Sequence, residues 1–197
     1  MTAPIHTRIR IRREEILANE WSVLKKITFD YQRRDGTWQT QSRETYDRGN
    51  AAAILLYNRA ARTVVLVRQF RLPAWVNGHP EPLIEVPAGR IEGNDAEACI
   101  RREAEEETGY RPGTLHRVFD AFMSPGSITE RQACFVAPYD PADRVTAGGG
   151  NAHEGEDIEV LEPTLDEALA MVARGEIADG KTIMLLQYAR LHRLLEN

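Results

Sequence analysis

A chain of 197 residues with 42% hydrophobic content can build one domain with a real core, or one core plus a small accessory piece, which argues against global disorder. A formal net charge of −5 argues against a general affinity for nucleic acid or anionic lipid, although a metal ion can still bring an anionic substrate to a site. No apolar run reaches the roughly 20 residues of a membrane-spanning helix, and Met1 to Arg10 lacks the apolar centre of a signal peptide, so a soluble, cytoplasmic protein with no membrane partner is expected.

Residues 1–48 read as a small N-terminal β domain. Arg8, Arg10, Arg12 and Arg13 are followed at once by Glu14 and Glu15, which suits a solvated terminus better than a nucleic-acid arm. Trp21 to Tyr31 is rich in β-branched and aromatic residues and predicts a strand. Arg34-Asp35-Gly36-Thr37 is a hairpin turn signal, and Trp38 to Tyr46 would be the returning strand. So small a sheet buries little apolar area alone and must pack on the rest of the chain or on a second subunit.

Residues 49–197 read as the main domain. Ala51 to Tyr57 and Thr63 to Phe70 are apolar runs of strand length joined by a short turn. Leu83 to Val86, Leu115 to Met123, Ala133 to Pro138 and Ile158 to Leu161 predict further strands, and Ala147 to Asn151 predicts a mobile, glycine-rich loop. Helices are predicted over Asn94 to Thr108, Thr164 to Arg174 (closed by Gly175) and Thr182 to Leu195. The pattern is mixed α/β. Cys99 and Cys134 have no zinc-type spacing; they read as free thiols, with a disulfide between them as the alternative.

Asn94 predicts the N-cap of the first long helix, Glu97 completes a capping box, and Gly109 suits its C-terminal end. Glu103, Glu106 and Glu107 then share one face beside an apolar stripe of Ala96, Ile100 and Ala104. Such a carboxylate group is either a solvated face balanced by Arg101 and Arg102 or a holder of a hard divalent cation. Spacing alone does not choose between them.

The flanking residues do. Gly89 to Tyr110 resembles the Nudix box, G-x5-E-x7-R-E-U-x-E-E-x-G-U, through Arg102-Glu103-Ala104-Glu105-Glu106-Glu107-Thr108-Gly109-Tyr110, with Pro87-Ala88-Gly89 in front. The loop is one residue shorter than the pattern, so Asn94 stands where the first box glutamate falls, a position that in the family supports the loop. The wider order of segments is similar to the nucleotide-sugar branch of the family, which holds the GDP-mannose and ADP-ribose pyrophosphatases. It is carried by Val67-Arg68-Gln69-Phe70-Arg71, Trp75-Val76-Asn77-Gly78, Met123-Ser124-Pro125-Gly126 and Asp179-Gly180-Lys181-Thr182.

That resemblance implies an α/β/α sandwich with a mixed sheet, plus the small antiparallel β domain. It implies Mg²⁺-dependent hydrolysis (Mn²⁺ as a substitute) of a nucleoside diphosphate sugar: GDP-mannose to GMP and mannose 1-phosphate, with ADP-ribose as the alternative and a non-catalytic sensor as a more distant one. Glu103, Glu107, Glu156 and the carbonyl of Ala88 match the metal ligands, with Glu106 assisting. Glu154 matches the general base, beside His153 as a second candidate on a loop able to close over substrate. Arg71, Gly89, Arg90, Glu130 and Lys181 match substrate contacts. The N-terminal domain, residues 1–48, is expected to form a homodimer and bring Trp21, Arg43 and Glu44 to the substrate. Trp21 either stacks on the base or is a strand residue. Ser42 stands where relatives have a lysine.

Overall fold

The computed structural model describes residues 4–93 and 95–196; Asn94 and the side chain of Glu154 lie outside the described residues. The chain forms two compact units, Met1–Asn50 with Phe122–Arg131, and Ala51–Ala121 with Gln132–Asn197.

The first unit is an antiparallel sheet of three strands in the order β1 (Ile9–Asn19), β2 (Val23–Gln32) and β3 (Trp38–Asp47). The basic run is solvent-exposed at Arg10, Arg12 and Arg13 but is not a free arm: Arg8 ends a short 3-10 helix and the other three lie in β1. The other strands of the sheet offer partners to Arg8, Arg10 and Arg12, which a free arm could not have. Arg8 donates from Nε to the Gln32 carbonyl at 2.9 Å, Arg10 covers the Trp38 ring at 4.1 Å, and Arg12 pairs with Asp30. Arg12, then Thr40, hold the Asp30 carboxyl below its ordinary value. Gly36 takes φ +88°, and Thr37 donates from both its N–H and its hydroxyl to Asp35, fixing the turn between β2 and β3. Trp21 is not a strand residue. It lies in the bend between β1 and β2 and is 87% exposed. The later segment of this unit joins β3 through Tyr46, whose N–H donates to Ser127 and whose carbonyl accepts from Thr129.

The second unit is built on a mixed sheet ordered β10 (Glu159–Leu161), β5 (Thr63–Gln69), β4 (Ala51–Asn58), β9 (Arg131–Pro138), β8 (His116–Phe122), with β6 (Leu83–Glu85) on β5 and β7 (Ala88–Arg90) on β4. β4 runs parallel to β9 and antiparallel to β5 and β7. All eight residues of β4 are buried, because both its faces are covered. Ala53, Leu55 and Tyr57 pack with Leu165, Ala168, Leu185, Leu186 and Ala189 of α3 (Leu165–Arg174) and α4 (Gly180–Leu191). Ala52, Ile54 and Leu56 pack with Ala96, Ile100 and Ala104 of α2 (Ala96–Thr108). The result is an α/β/α sandwich. A short helix, α1 (Leu72–Val76), has no counterpart in the sequence reading; Pro73 in its first turn presets the backbone.

The C-terminal signals of α2 and α3 match the sequence, while the start of α2 and both ends of α4 differ from it. Gly109 and Gly175 close α2 and α3 in left-handed conformations, and Thr164 caps α3. The N-cap of α2 is Asp95, whose carboxylate accepts from the N–H groups of Glu97 and Ala98, each at 3.0 Å. Asp95 thus takes the role expected of Asn94. α4 begins earlier than expected because Asp179 caps it through Thr182 N–H, and it ends at Leu191. Cys99 and Cys134 are free and buried, so the disulfide alternative falls; burial raises both thiols, Cys134 to about 12. Among the described residues no helix is long and apolar enough to cross a membrane.

Candidate active site

The candidate site residues of the second unit lie on five segments: the entry to α1, the β6–β7 region, the acidic helix α2, the glycine-rich loop before β10, and the start of α4. Their backbone contacts explain why these sequences fold there.

Gly89 lies in β7 opposite Ala52 of β4. A Cβ at this position would collide with the carboxylate of Glu103, so only glycine admits that approach. Glu103 also pairs with Arg102 at 2.9 Å and is mostly enclosed. One turn later Glu107 is 1% exposed, and its Oε2 has no hydrogen-bond partner among the described residues. Burial first, and then the negative charges of Glu103 and Glu156, push the Glu107 carboxyl well above its ordinary value; Arg71 opposes the shift and Glu85 adds to it. Glu106, on the same helix, is exposed.

The loop expected to be mobile is hydrogen-bonded to α2. Gly148, Gly149 and Gly150 all have positive φ, but their freedom is used for close approach. Gly149 N–H donates to the Glu107 carbonyl at 2.9 Å and Gly150 N–H to the Glu106 carbonyl at 3.0 Å, satisfying two carbonyls that a helix end leaves open. Asn151 N–H donates to Glu156 Oε2 at 2.8 Å, and a Cβ on Gly150 would press on that same carboxylate. The loop therefore ties Glu156 to the end of the helix that carries Glu103 and Glu107. Glu154 follows in the short turn Ala152–Glu154, where Asn151 Oδ1 accepts from His153 N–H.

Glu85 is a site residue that the sequence reading missed. The available signal was an acidic residue in the apolar run Leu83-Ile84-Glu85-Val86. It is 4% exposed; its Oε2 accepts from Arg71 Nε at 2.8 Å and its Oε1 from Lys181 Nζ at 3.0 Å. Lys181 also pairs with Asp179 at 3.0 Å. Burial opposes the Lys181 charge, but Glu85 and Asp179 more than offset it and hold the ammonium above its ordinary value. Thr182 completes the mount: its hydroxyl donates to Asp179 and accepts from Val86 N–H at 2.8 Å.

Of the sequence-predicted residues, Gly89, Glu103, Glu107 and Glu156 are thus linked by contact or by charge, and Arg71 and Lys181 share one carboxylate. Ala88 is half-buried opposite Ala53, and Arg90 is exposed, its carbonyl accepting from Cys99 Sγ. Trp21, Arg43, Glu44 and Glu130 belong to the first unit. There Arg43 and Glu44 are exposed on β3, and Glu130 is buried against Arg48 at 3.3 Å.

No group of three or more His, Cys, Asp or Glu side chains among the described residues is gathered tightly enough to hold an ion by itself. The donor chemistry nevertheless fits a hard divalent cation: all donors are oxygens, and a buried carboxylate oxygen lacks a partner while two further carboxylates raise its proton affinity.

Comparison with known proteins agrees with this geometry. Residues 8–46 match the GDP-mannose pyrophosphatase NudK N-terminal domain, and residues 47–186 match the NUDIX domain. The chain is 50% identical to a GDP-mannose pyrophosphatase of Klebsiella pneumoniae subsp. pneumoniae over 188 residues, covering 95% of this chain and 94% of that protein. It is 48% identical to one from Citrobacter koseri and 47% identical to one from Escherichia coli O1:K1, each over 189 residues, 95% of this chain and 98% of the relative. A box motif on a capped helix, a sandwich around a mixed sheet and a family match over most of its length agree: the chain belongs to the Nudix family.

Proposed function

We propose that this protein is a Mg²⁺-dependent pyrophosphohydrolase that cleaves GDP-mannose to GMP and mannose 1-phosphate. The observation that carries the chemistry is Glu107, a buried carboxylate with an unpartnered oxygen beside Glu103 and Glu156. The substrate follows from the relatives, which are GDP-mannose pyrophosphatases over nearly their full length.

Hydrolysis of a diphosphate needs charge neutralisation, an oriented substrate and an activated water. Glu103, Glu107, Glu156 and the Ala88 carbonyl would hold the metal. A divalent ion bound there supplies Lewis-acid polarisation of phosphoryl oxygens and a lowered pKa for attacking water. Gly89 lets Glu103 approach the β7 backbone, and the Gly149–Gly150 amides fix the helix end from which Glu107 projects. Arg71 can offer a planar fork and Lys181 a point charge to the phosphates. Glu154 is assigned the proton from the attacking water, with Glu106 supporting the charge balance at the rim. Arg90 and Glu130 are assigned to the substrate's polar groups.

Residues 1–48 are assigned as the dimer-forming domain, so that Trp21, Arg43 and Glu44 of one protomer serve the base pocket of the other. Exposed Ile11, Ile16, Leu17 and Trp21 support this assignment, since a three-stranded sheet needs apolar cover.

The test is product analysis. The purified protein is incubated with Mg²⁺ and, in parallel, GDP-mannose, ADP-ribose and ADP-glucose. GMP should form fastest, and a chelator should abolish it. AMP from ADP-ribose as the dominant product would keep the metal site and replace the substrate.

A further inference from the structure

We propose that Glu85 is a positioning residue: one buried carboxylate sets both substrate cations, Arg71 and Lys181, in place for the diphosphate. This rests on the functional reading above, in which those two residues hold the phosphates.

The geometry divides the carboxylate between them. Each oxygen takes one cation, Oε2 that of Arg71 at 2.8 Å and Oε1 that of Lys181 at 3.0 Å. The Glu85 side chain is 5% exposed and that of Lys181 12%, whereas that of Arg71 is 38% exposed. Arg71 is therefore anchored at its inner end. Its hydrogen bonding to the described residues runs through Nε alone, which leaves the Nη edge to grip a planar array of phosphate oxygens. Among the described residues Lys181 spends two of its three donors, on Glu85 and Asp179, which leaves one N–H for a phosphate oxygen. The two cations are far apart in sequence and come from different elements, one at the entry to α1 and the other at the start of α4. Glu85 is the point they share. It is itself fixed, because the next residue, Val86, is hydrogen-bonded to Thr182.

Position and charge predict opposite results for its removal. Arg71 and Lys181 are balanced by Glu85 and Asp179. If Glu85 merely neutralised, its loss would leave a net positive charge and tighten diphosphate binding. If it positions, both cations lose their common anchor and binding weakens, although the site has become more positive.

Steady-state hydrolysis of GDP-mannose with Mg²⁺ is measured for Glu85→Gln, Glu85→Asp, Arg71→Ala and Glu85→Gln/Arg71→Ala, with a melting temperature for each. Glu85→Gln should raise KM about tenfold with a much smaller change in kcat, as expected for a lost charge-assisted contact network. Glu85→Asp keeps the charge but shortens the reach, and should raise KM less. In the double variant the KM rise should fall short of the product of the single rises, since part of the Glu85 effect passes through Arg71. Should Glu85→Gln fail to fold, Glu85→Asp, alone and combined with Arg71→Ala, decides by the same criteria. An active wild type whose KM is unmoved or lowered in the folded Glu85 variants, or effects that multiply, overturns the role of Glu85 alone. A wild type that releases no GMP overturns the functional reading, and this role with it.

Discussion

Strands β1 and β4 have similar lengths and opposite surroundings. Ten of the eleven residues of β1 are exposed, while all eight of β4 are buried. β4 lies between helices on both faces, so its apolar side chains serve packing. β1 edges a sheet that, among the described residues, has no α-helix in its own unit, so its side chains remain available for contacts. The difference also separates two kinds of functional residue. In the second unit, burial and neighbours shift the carboxyl of Glu107 and the ammonium of Lys181. In the first, Trp21 stands in water and owes nothing to a core.

The sharpest test of that contrast is Glu107→Gln. Turnover of GDP-mannose should fall about a thousandfold, the size seen when a preorganised charge-stabilising group is lost. The metal-free protein should melt higher, because the variant removes a buried charge that Glu103 and Glu156 disfavour. The sign with pH follows. The folded Glu107 carboxyl titrates above its unfolded value, so its stabilising contribution is complete below the ordinary glutamate range and is lost as pH rises through the raised folded value. Mg²⁺ binds the carboxylate form, so its stabilisation of the wild type should grow with pH across that same window and vanish in Glu107→Gln. A Mg²⁺ effect on melting that ignores both pH and this substitution would remove Glu107 from the metal site.

Core and sheet can be compared directly by denaturant unfolding. Phe135→Ala, at 0% exposure in β9, should cost about 3–5 kcal/mol. Ile16→Ala, at 61% exposure in β1, should cost less than about 0.5 kcal/mol in the monomer. A large cost for Ile16→Ala that depends on protein concentration would reveal apolar cover supplied by a second copy.

Gly150→Ala tests the brace between the two halves of the carboxylate group. The added Cβ meets Glu156 and Ile158, and the backbone has φ +77°. Activity should fall about tenfold, the lower end of what a misplacement near the chemistry costs. Activity equal to wild type, measured as GMP release, would show that Glu156 need not be held there. Trp21→Ala should leave the melting temperature within error and raise KM for GDP-mannose about tenfold, the loss of one base-stacking platform. An unchanged KM would assign Trp21 to the protein surface alone.

Much of this fold could be read from local signals, and the failures share a cause. The turn at Asp35-Gly36 and the left-handed ends at Gly109 and Gly175 depend on residues within a turn of one another, so a local reading finds them. The box brought Glu103 and Glu107 into view because helix periodicity places them together. What escaped depends on partners distant in the chain. Arg8, Arg10 and Arg12 read as a terminus because Gln32, Trp38 and Asp30, which receive them, lie on β2 and β3. Glu85 passed as part of an apolar strand because Lys181 is on the last helix. The glycines of the loop read as mobile because their hydrogen-bond acceptors are on α2. Asp95 over Asn94 is the smaller lesson: adjacent good caps compete, and one residue of loop length decides between them.

The amides of Gly149 and Gly150 also bear on the order in which the site is made. During synthesis α2 leaves the ribosome about forty residues before the loop that closes its last turn. Until then the carbonyls of Glu106 and Glu107 face water, and the helix end is free to fray. The hydrogen bonds that hold the end of α2 and those that hold Glu156 are therefore made by the same late-synthesised segment. In the finished protein the same coupling should make the amides of Gly149 and Gly150 exchange with solvent as slowly as the end of the helix they close.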